Sequence, residues 1–146
     1  MVKIFSALIL LSCLGAVSSN YAIAASNHSD TRFERYSTGD GGDIGTSPRI
    51  KHNTTSMYAY NDKSTLGFYA SGAGSWGSGT VYTQNVSTGY KNIPRGQSKF
   101  ITQYVKETKG PNGKAKPSYS HALLLISPGS HSSKTWVSFL WSPDSI

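Results

Sequence analysis

Lysines are concentrated in one part of this chain, where they could bind an anion. Seven basic residues lie between residues 91 and 116, and Glu107 is the only acidic residue among them. This segment therefore carries a net charge of +6, against a formal net charge of +7 for all 146 residues. Concentrated positive charge attracts anionic polymers and surfaces. The predicted anion-binding residues are Lys99, Lys106, Lys109, Lys114 and Lys116.

The centre of this segment, residues 106–117, is rich in Gly, Pro and Lys and predicts an exposed loop between two strands. The expected partner is an anionic cell-wall polymer or a membrane surface. The alternative is that the lysines only keep a solvated loop soluble. A nucleic-acid partner is not expected, because the sequence shows no nucleic-acid-binding module and its first 25 residues, described below, resemble an export signal.

One tryptophan has the sequence context of a contact residue. Trp76 lies in Gly74-Ser75-Trp76-Gly77, and a loop of such small residues gives it little to pack against. Exposed aromatic side chains often contact ligands. Trp76 is therefore the predicted aromatic contact, whereas the other aromatic residues are more often the core of a small β domain.

Catalytic and metal-binding patterns are weak in this sequence. The Gly-x-Ser-x-Gly motif of many serine hydrolases is absent. Residues 39–45 resemble a calcium loop but hold only two carboxylates, and two histidines alone make a poor zinc site. A Ser-His-Asp triad can be composed on paper, but no local feature favours one set among His52, His121, His131, Asp62 and Asp144. We predict a non-enzymatic protein with no cofactor and no metal, and a small secreted hydrolase is kept as an alternative.

The first 25 residues resemble a secretory signal peptide. Lys3 precedes an apolar run over residues 4–17, and small residues follow at positions 22–25. The run is shorter than the ~20 residues of a comfortable membrane span. We therefore expect cleavage near position 25 and a secreted protein. The only cysteine, Cys13, lies in this segment, where it could instead carry a lipid anchor.

The rest of the chain favours β-strands. Residues 26–48 contain few large apolar side chains and are expected to form a flexible arm. From residue 49 onwards, β-branched and aromatic residues alternate with polar ones between turn signals, among them a hairpin turn at residues 61–64. Strands are expected over residues 49–61, 66–73, 80–87, 96–109, 120–127 and 134–142, with a short helix as the alternative for 96–109.

The expected fold is a single all-β domain over residues 49–146. Short strands at this spacing predict a small antiparallel β-sandwich or an open barrel of five to six strands. Because the mature chain has no cysteine, its stability must come from packing. Asp144, close to the C-terminus, is expected to be a turn residue.

Three short motifs resemble those of small secreted Gram-positive proteins of unassigned function. The motifs are Ser47-Pro48-Arg49-Ile50, Gly96-x-x-x-Phe100-Ile101-x-x-Tyr104-Val105-x-Glu107 and Trp141-Ser142-Pro143-Asp144-Ser145. The resemblance covers residues 47–146 and implies no catalytic residue. In composition the chain is also similar to bacteriocins of the lactococcin 972 type, which are secreted, cysteine-free, basic β-sandwich proteins.

The sequence therefore predicts a secreted, non-enzymatic β protein that binds an anionic component of the cell envelope through a basic loop. The resemblance to bacteriocins implies the first alternative, a secreted antimicrobial protein. The second alternative is the small hydrolase.

Overall fold

The fold consists of two antiparallel β-sheets arranged as a sandwich. The computed structural model describes residues 29–37, 42–77, 79–83, 85–128 and 134–145. Within these ranges there is no helix, and the nine strands are β1 (Thr31–Ser37), β2 (Ile44–Gly45), β3 (Arg49–Ile50), β4 (Met57–Tyr60), β5 (Phe68–Ser75), β6 (Lys91–Ile93), β7 (Ser98–Ile101), β8 (His121–Ser127) and β9 (Thr135–Ser142).

One sheet has the strand order β1-β9-β4-β7, and the other has the order β2-β8-β5-β6 with β3 also paired to β8. The predicted all-β sandwich is thus confirmed, with sheets of four and five strands in place of five to six strands in total. The predicted strand over residues 96–109 is formed only in part, as β7.

The core lies between the two sheets and is built by strands whose side chains alternate between two faces. Alternate residues of β9 point inward because side chains in a strand have a period of two. Phe139 of β9 meets Phe68 of β5, with ring centroids 4.8 Å apart. The central strands β4, β5, β8 and β9 contribute core residues that include Met57, Ala59, Phe68, Ala70, Leu124, Ile126, Val137, Phe139 and Trp141.

The folded domain begins earlier than the sequence predicts. Residues 31–37, which the sequence places in a flexible arm, form β1 along the whole length of β9. Phe33 packs on the core, with its ring centroid 5.3 Å from that of Phe139, and Tyr36 lies against Trp136 at 4.7 Å. Composition missed this strand because one aromatic residue on each face suffices once a neighbouring strand supplies hydrogen bonds and an aromatic partner for each.

The predicted hairpin turn at residues 61–64 connects the two sheets instead, because β4 and β5 lie in different sheets. Asn61 holds this crossing together and is completely buried. Its side-chain Nδ2 donates to the carbonyl oxygens of Leu66 (3.1 Å) and Ile93 (3.0 Å).

The described residues of the predicted strand over 80–87, namely 80–83 and 85–87, form isolated bridges at Tyr82 and Ser87 and no strand. Asn85 has a φ of 60°, in the left-handed region, which interrupts the extended conformation of a strand. Similarly, the single strand expected over residues 49–61 is divided into β3 and β4, which belong to different sheets.

The predicted signal peptide, with Cys13, and the predicted cleavage position lie outside the described residues. Within the residues that the structure describes, no helix is long and apolar enough to cross a membrane.

A candidate binding groove beneath the basic hairpin

Residues 106–116, here called the basic hairpin, lie between β7 and β8 and are mostly exposed, as predicted, and they form an ordered turn. The amide of Lys116 donates to the carbonyl of Thr108 at 2.8 Å, and the amide of Gly110 donates to the carbonyl of Lys114 at 3.1 Å. Gly113 closes the turn with a φ of +73°, a conformation that glycine adopts without a Cβ penalty. The lysines of this segment are therefore carried by a defined backbone.

Asn85 holds the hairpin against the body of the protein. Its Nδ2 donates to the carbonyl of Lys114 at 2.8 Å. The contact is close enough that a Cβ added at Gly110 would lie 2.1 Å from Cγ of Asn85. The Oδ1 atom of Asn85 is buried and has no hydrogen-bond partner among the described residues. The hairpin thus depends on this asparagine and on the absence of a side chain at Gly110.

A groove of about 460 Å³ lies under the hairpin. One wall is the hairpin itself, and the other is formed by residues 81–83, by Asn85 and by Tyr119 just before β8. The lining residues combine aromatic rings, amides and lysines, and they are Val81, Tyr82, Thr83, Asn85, Asn112, Lys114, Ala115, Lys116, Pro117 and Tyr119. A groove with apolar rings and a few polar groups is the usual form of a small-molecule or glycan subsite.

Three aromatic rings form one continuous cluster at the groove. Tyr82 and Tyr119 are stacked, with centroids 4.9 Å apart and planes 14° apart. Trp76 packs at a tilt against both, at 5.0 Å from Tyr82 and 5.1 Å from Tyr119. Its Nε1 donates to the carbonyl of Ser118 at 3.3 Å, yet the residue remains 57% exposed. The cluster is thus fixed in orientation while it still presents aromatic surface to solvent.

Gly74 provides the floor of this aromatic cluster. Its amide and carbonyl exchange hydrogen bonds of 3.0 and 2.8 Å with Tyr82. A Cβ at this position would lie 2.6 Å from Cδ2 of Tyr119, so the Tyr119 ring occupies the space that a side chain would take. Such covering of a strand glycine by an aromatic ring from a neighbouring segment is a recognised stabilising arrangement.

The lysines at the groove have different roles. The Nζ of Lys116 donates to the carbonyls of Val105 (3.3 Å), Glu107 (2.6 Å) and Pro117 (2.9 Å). It also lies 5.1 Å from the centroid of Tyr119, and burial lowers the pKa of its ammonium group. These contacts use all three N–H donors of Lys116 within the chain. Lys114 is exposed at the tip of the hairpin and lines the groove.

The predicted site residues are only partly brought together. Lys114 and Lys116 line the groove, and Trp76 packs behind its two tyrosines. Lys106 and Lys109 belong to the hairpin but are not lining residues, and Lys99 lies on β7, opposite Ala59. The sequence did not identify Tyr82, Tyr119 and Asn85, because their proximity depends on the return of the chain at residues 105–119.

A second polar cluster lies at the C-terminal end of β9. Lys51 and Asp144 form an ion pair with 2.9 Å between Nζ and Oδ1, and both side chains are fully buried. The Lys51 Nζ also donates to the carbonyls of Thr55 (2.7 Å) and Pro143. Asp144, expected as a turn residue, is therefore an interior residue. Its position two residues after the end of β9 gave no sign of burial.

The predictions that the protein is not an enzyme and binds no metal stay predictions. His121 has its Nδ1 2.8 Å from Oγ of Ser120, and His131 lies outside the described residues. Among the described residues, no group of three or more His, Cys, Asp or Glu side chains could hold a metal ion.

A family model described as a protein of unknown function (DUF2712) matches residues 18–145. No curated protein and no solved structure matches the chain. The expected relationship to proteins of unknown function is thus confirmed at the level of a family. The similarity to lactococcin 972-type bacteriocins and the C-terminal Trp-Ser-Pro-Asp-Ser motif as a family mark stay predictions.

Proposed function

We propose that this chain, which belongs to the DUF2712 family of proteins of unknown function, binds an anionic glycan polymer of the cell envelope in the groove beneath the basic hairpin. The proposal includes export by the N-terminal segment and a binding role without catalysis. The observation that carries it is the combination in one groove of Lys114 with Tyr82, whose partly exposed ring is backed by the nearly buried ring of Tyr119.

The aromatic part of the groove suits the apolar face of a sugar ring. Tyrosine and tryptophan present large rigid surfaces with a polar edge, so they contribute contact area at a low cost in side-chain entropy. Tyr82 and Tyr119 are already held by each other, by Trp76 and by Gly74. A ligand that binds here therefore meets an ordered surface.

The charged part of the groove suits an acidic substituent on that sugar polymer. Lys114 is exposed at the groove, and its backbone carbonyl is fixed by Asn85. Lys106 and Lys109 add positive charge from the same hairpin. The hairpin thus supplies electrostatic attraction, and the groove supplies orientation.

The test is a fluorescence or calorimetric titration of the purified protein with dextran sulfate and, as the matched neutral polymer, with dextran. We expect dextran sulfate to bind and dextran to bind far more weakly. Binding should weaken strongly in 1 M salt, where charges are screened over ~3 Å. Vesicles that contain an anionic lipid are the third probe, and preferential binding to them would favour a membrane surface over a glycan.

Two variants that each lose one positive charge distinguish binding in the groove from attraction by the net charge of the whole protein. Lys114→Ser should reduce affinity for dextran sulfate at least about fivefold, the scale of an interface residue that costs ~1 kcal/mol. Lys99→Ser removes one charge from β7, away from the groove lining, and should have a smaller effect. Equal losses in the two variants would contradict the proposed site.

A further inference from the structure

The buried pair of Lys51 and Asp144 places a nucleophile against an electrophile in the interior. The Nζ atom lies 2.9 Å from Oδ1 of Asp144, and neither side chain has any exposed surface. Lys51 follows β3 in one sheet, whereas Asp144 follows β9 in the other. Atoms held at this separation have the proximity that makes an intramolecular reaction fast.

Burial favours the uncharged form of the Lys51 amine. A lysine and a carboxylic acid in a water-excluded site lose the solvation of their charges, so transfer of one proton from ammonium to carboxylate becomes less costly. Desolvation lowers the pKa of Lys51, although Asp144 opposes the change. The neutral amine that results is the nucleophilic form of lysine.

Backbone amides next to Lys51 are aimed at the carboxyl group of Asp144. The amide of His52 donates to Oδ2 at 3.2 Å, and the amide of Asn53 approaches Oδ1 at 3.5 Å. Amide donors on a carboxyl group stabilise the negative charge that develops on oxygen when a nucleophile adds to the carbon. The site therefore holds a nucleophile, an activated carbonyl group and oxyanion donors in one place.

Glu107 provides a third titratable group nearby. Its Oε2 atom is buried and has no hydrogen-bond partner among the described residues. Its charge acts on Lys51, since it raises the pKa of that ammonium against the larger effect of burial. Glu107 as a whole is only partly buried, and its sealed Oε2 atom together with its effect on Lys51 makes it the proton carrier that we assign to the reaction.

We infer that Lys51 and Asp144 join in an intramolecular amide bond, so that this position is a site of spontaneous covalent modification. The neutral Nζ attacks Cγ of Asp144, a C–N bond forms, and one carboxyl C–O bond breaks. The leaving oxygen takes two protons from the pair and departs as water, while Glu107 carries protons between them. One ammonium and one carboxylate thus become one amide and one water, and no oxidant or other co-reactant is needed.

The product gives the fold a covalent tie and leaves one N–H on Nζ. That N–H can donate to one of the two carbonyl acceptors of the present ammonium, Thr55 at 2.7 Å or Pro143. The bond would join residues 93 positions apart, and a cross-link over so long a loop strongly restricts the unfolded chain. No disulfide within the chain can do this, because Cys13 is its only cysteine.

The test is mass spectrometry of the purified wild-type protein, intact and after digestion with trypsin. We expect the intact mass to be lower than the sequence mass by one water. We also expect trypsin to leave Lys51 uncut, because its amine is acylated, and to release a branched peptide in which residues 50–63 are joined to residues 135–146. A succinimide at another aspartate would also lose water, but it would leave Lys51 cleavable and give no branched peptide.

Lys51→Arg is the matched control, because it keeps the positive charge and cannot form this amide. Its intact mass should equal its sequence mass, and the branched peptide should be missing. Glu107→Gln should slow the appearance of the bond, and an unchanged rate would remove Glu107 from the reaction. A folded wild-type protein with a normal mass and a cleavable Lys51 would overturn the inference.

Discussion

At the scale of single residues, several charged side chains contribute to the structure itself. The Nζ of Lys116 donates to three backbone carbonyls, and Lys51 is sealed with Asp144 inside the protein. Arg32 binds Asp62 through both guanidinium nitrogens and also donates to Oγ of Ser138 at 2.9 Å. A count of charges therefore overestimates how many are available to a partner.

The pair of Arg32 and Asp62 gives a prediction on acid stability. The hydrogen bond from Arg32 lowers the pKa of Asp62, so the folded state binds its proton less readily than the unfolded state. The stabilisation is present above the unfolded pKa of ~4 and is lost as pH falls through the lower folded pKa. Asp62→Asn should therefore reduce the free energy of unfolding near neutral pH, by about 1 kcal/mol for a pair that is still partly exposed to solvent.

Urea denaturation of the wild type and Asp62→Asn across the acidic range measures this effect. The difference between the two proteins should shrink as the pH falls from about 4 through the lower folded pKa of Asp62, because the unfolded state takes up the proton first and the folded state only at lower pH. A difference that stays constant with pH would show that the ion pair is not its cause.

At the scale of elements, glycines decide how close two segments approach. The basic hairpin touches Asn85 through Gly110, and the Tyr119 ring lies on Gly74. Neither contact can be predicted from the spacing of hydrophobic residues, because a glycine has no side chain and does not contribute to that spacing. The sequence predicts a basic loop here, but the close contact makes it one wall of a groove.

Gly110→Ala should detach the hairpin from Asn85. The new Cβ would lie 2.1 Å from Cγ and 2.2 Å from the carbonyl oxygen of Asn85, and the backbone oxygen cannot move aside cheaply. We expect a loss of about 1–3 kcal/mol in the free energy of unfolding, as for overpacking elsewhere, and weaker binding of dextran sulfate.

Gly79→Ala is the control for this variant, because nothing lies within 4 Å of a Cβ at that position. Urea denaturation should show it to be neutral or slightly stabilised. If Gly110→Ala is as stable as Gly79→Ala, the hairpin does not depend on this contact.

At the scale of the whole molecule, strands from the N-terminal part of the described chain complete both sheets. β1 covers the edge of β9 along seven residue pairs, and β2 and β3 both pair with β8. Removal of β1 would leave β9 with an open edge and remove Phe33 from the core. The folded unit therefore includes residues that their composition assigns to an arm.

A chain that begins at residue 49 should consequently fail to fold as the full chain does. We expect it to aggregate or to unfold without a cooperative transition, as size-exclusion chromatography and thermal denaturation would report. If this shortened chain is monomeric and unfolds cooperatively, the folded domain begins at residue 49, as composition predicts.

The all-β class, the antiparallel sandwich and the strands β8 and β9 could be predicted from local sequence. Periodicity and β-branched content report on local conformation, and these strands are long and strongly patterned. The very short strands β2 and β3 and the positive φ of Asn85 carry no such pattern. The candidate site was predictable as a basic segment with Trp76 nearby, but not as a groove.

The fold class and the excess of positive charge between residues 91 and 116 follow directly from the order of amino acids. Which lysines remain available to a partner depends on the folded chain, because carbonyls and rings from distant segments occupy some of them. The same holds for Tyr82 beside Tyr119 and for Lys51 beside Asp144. Local patterns encode conformation, whereas such pairs arise from the way the sheets pack, and packing is a property of the whole chain.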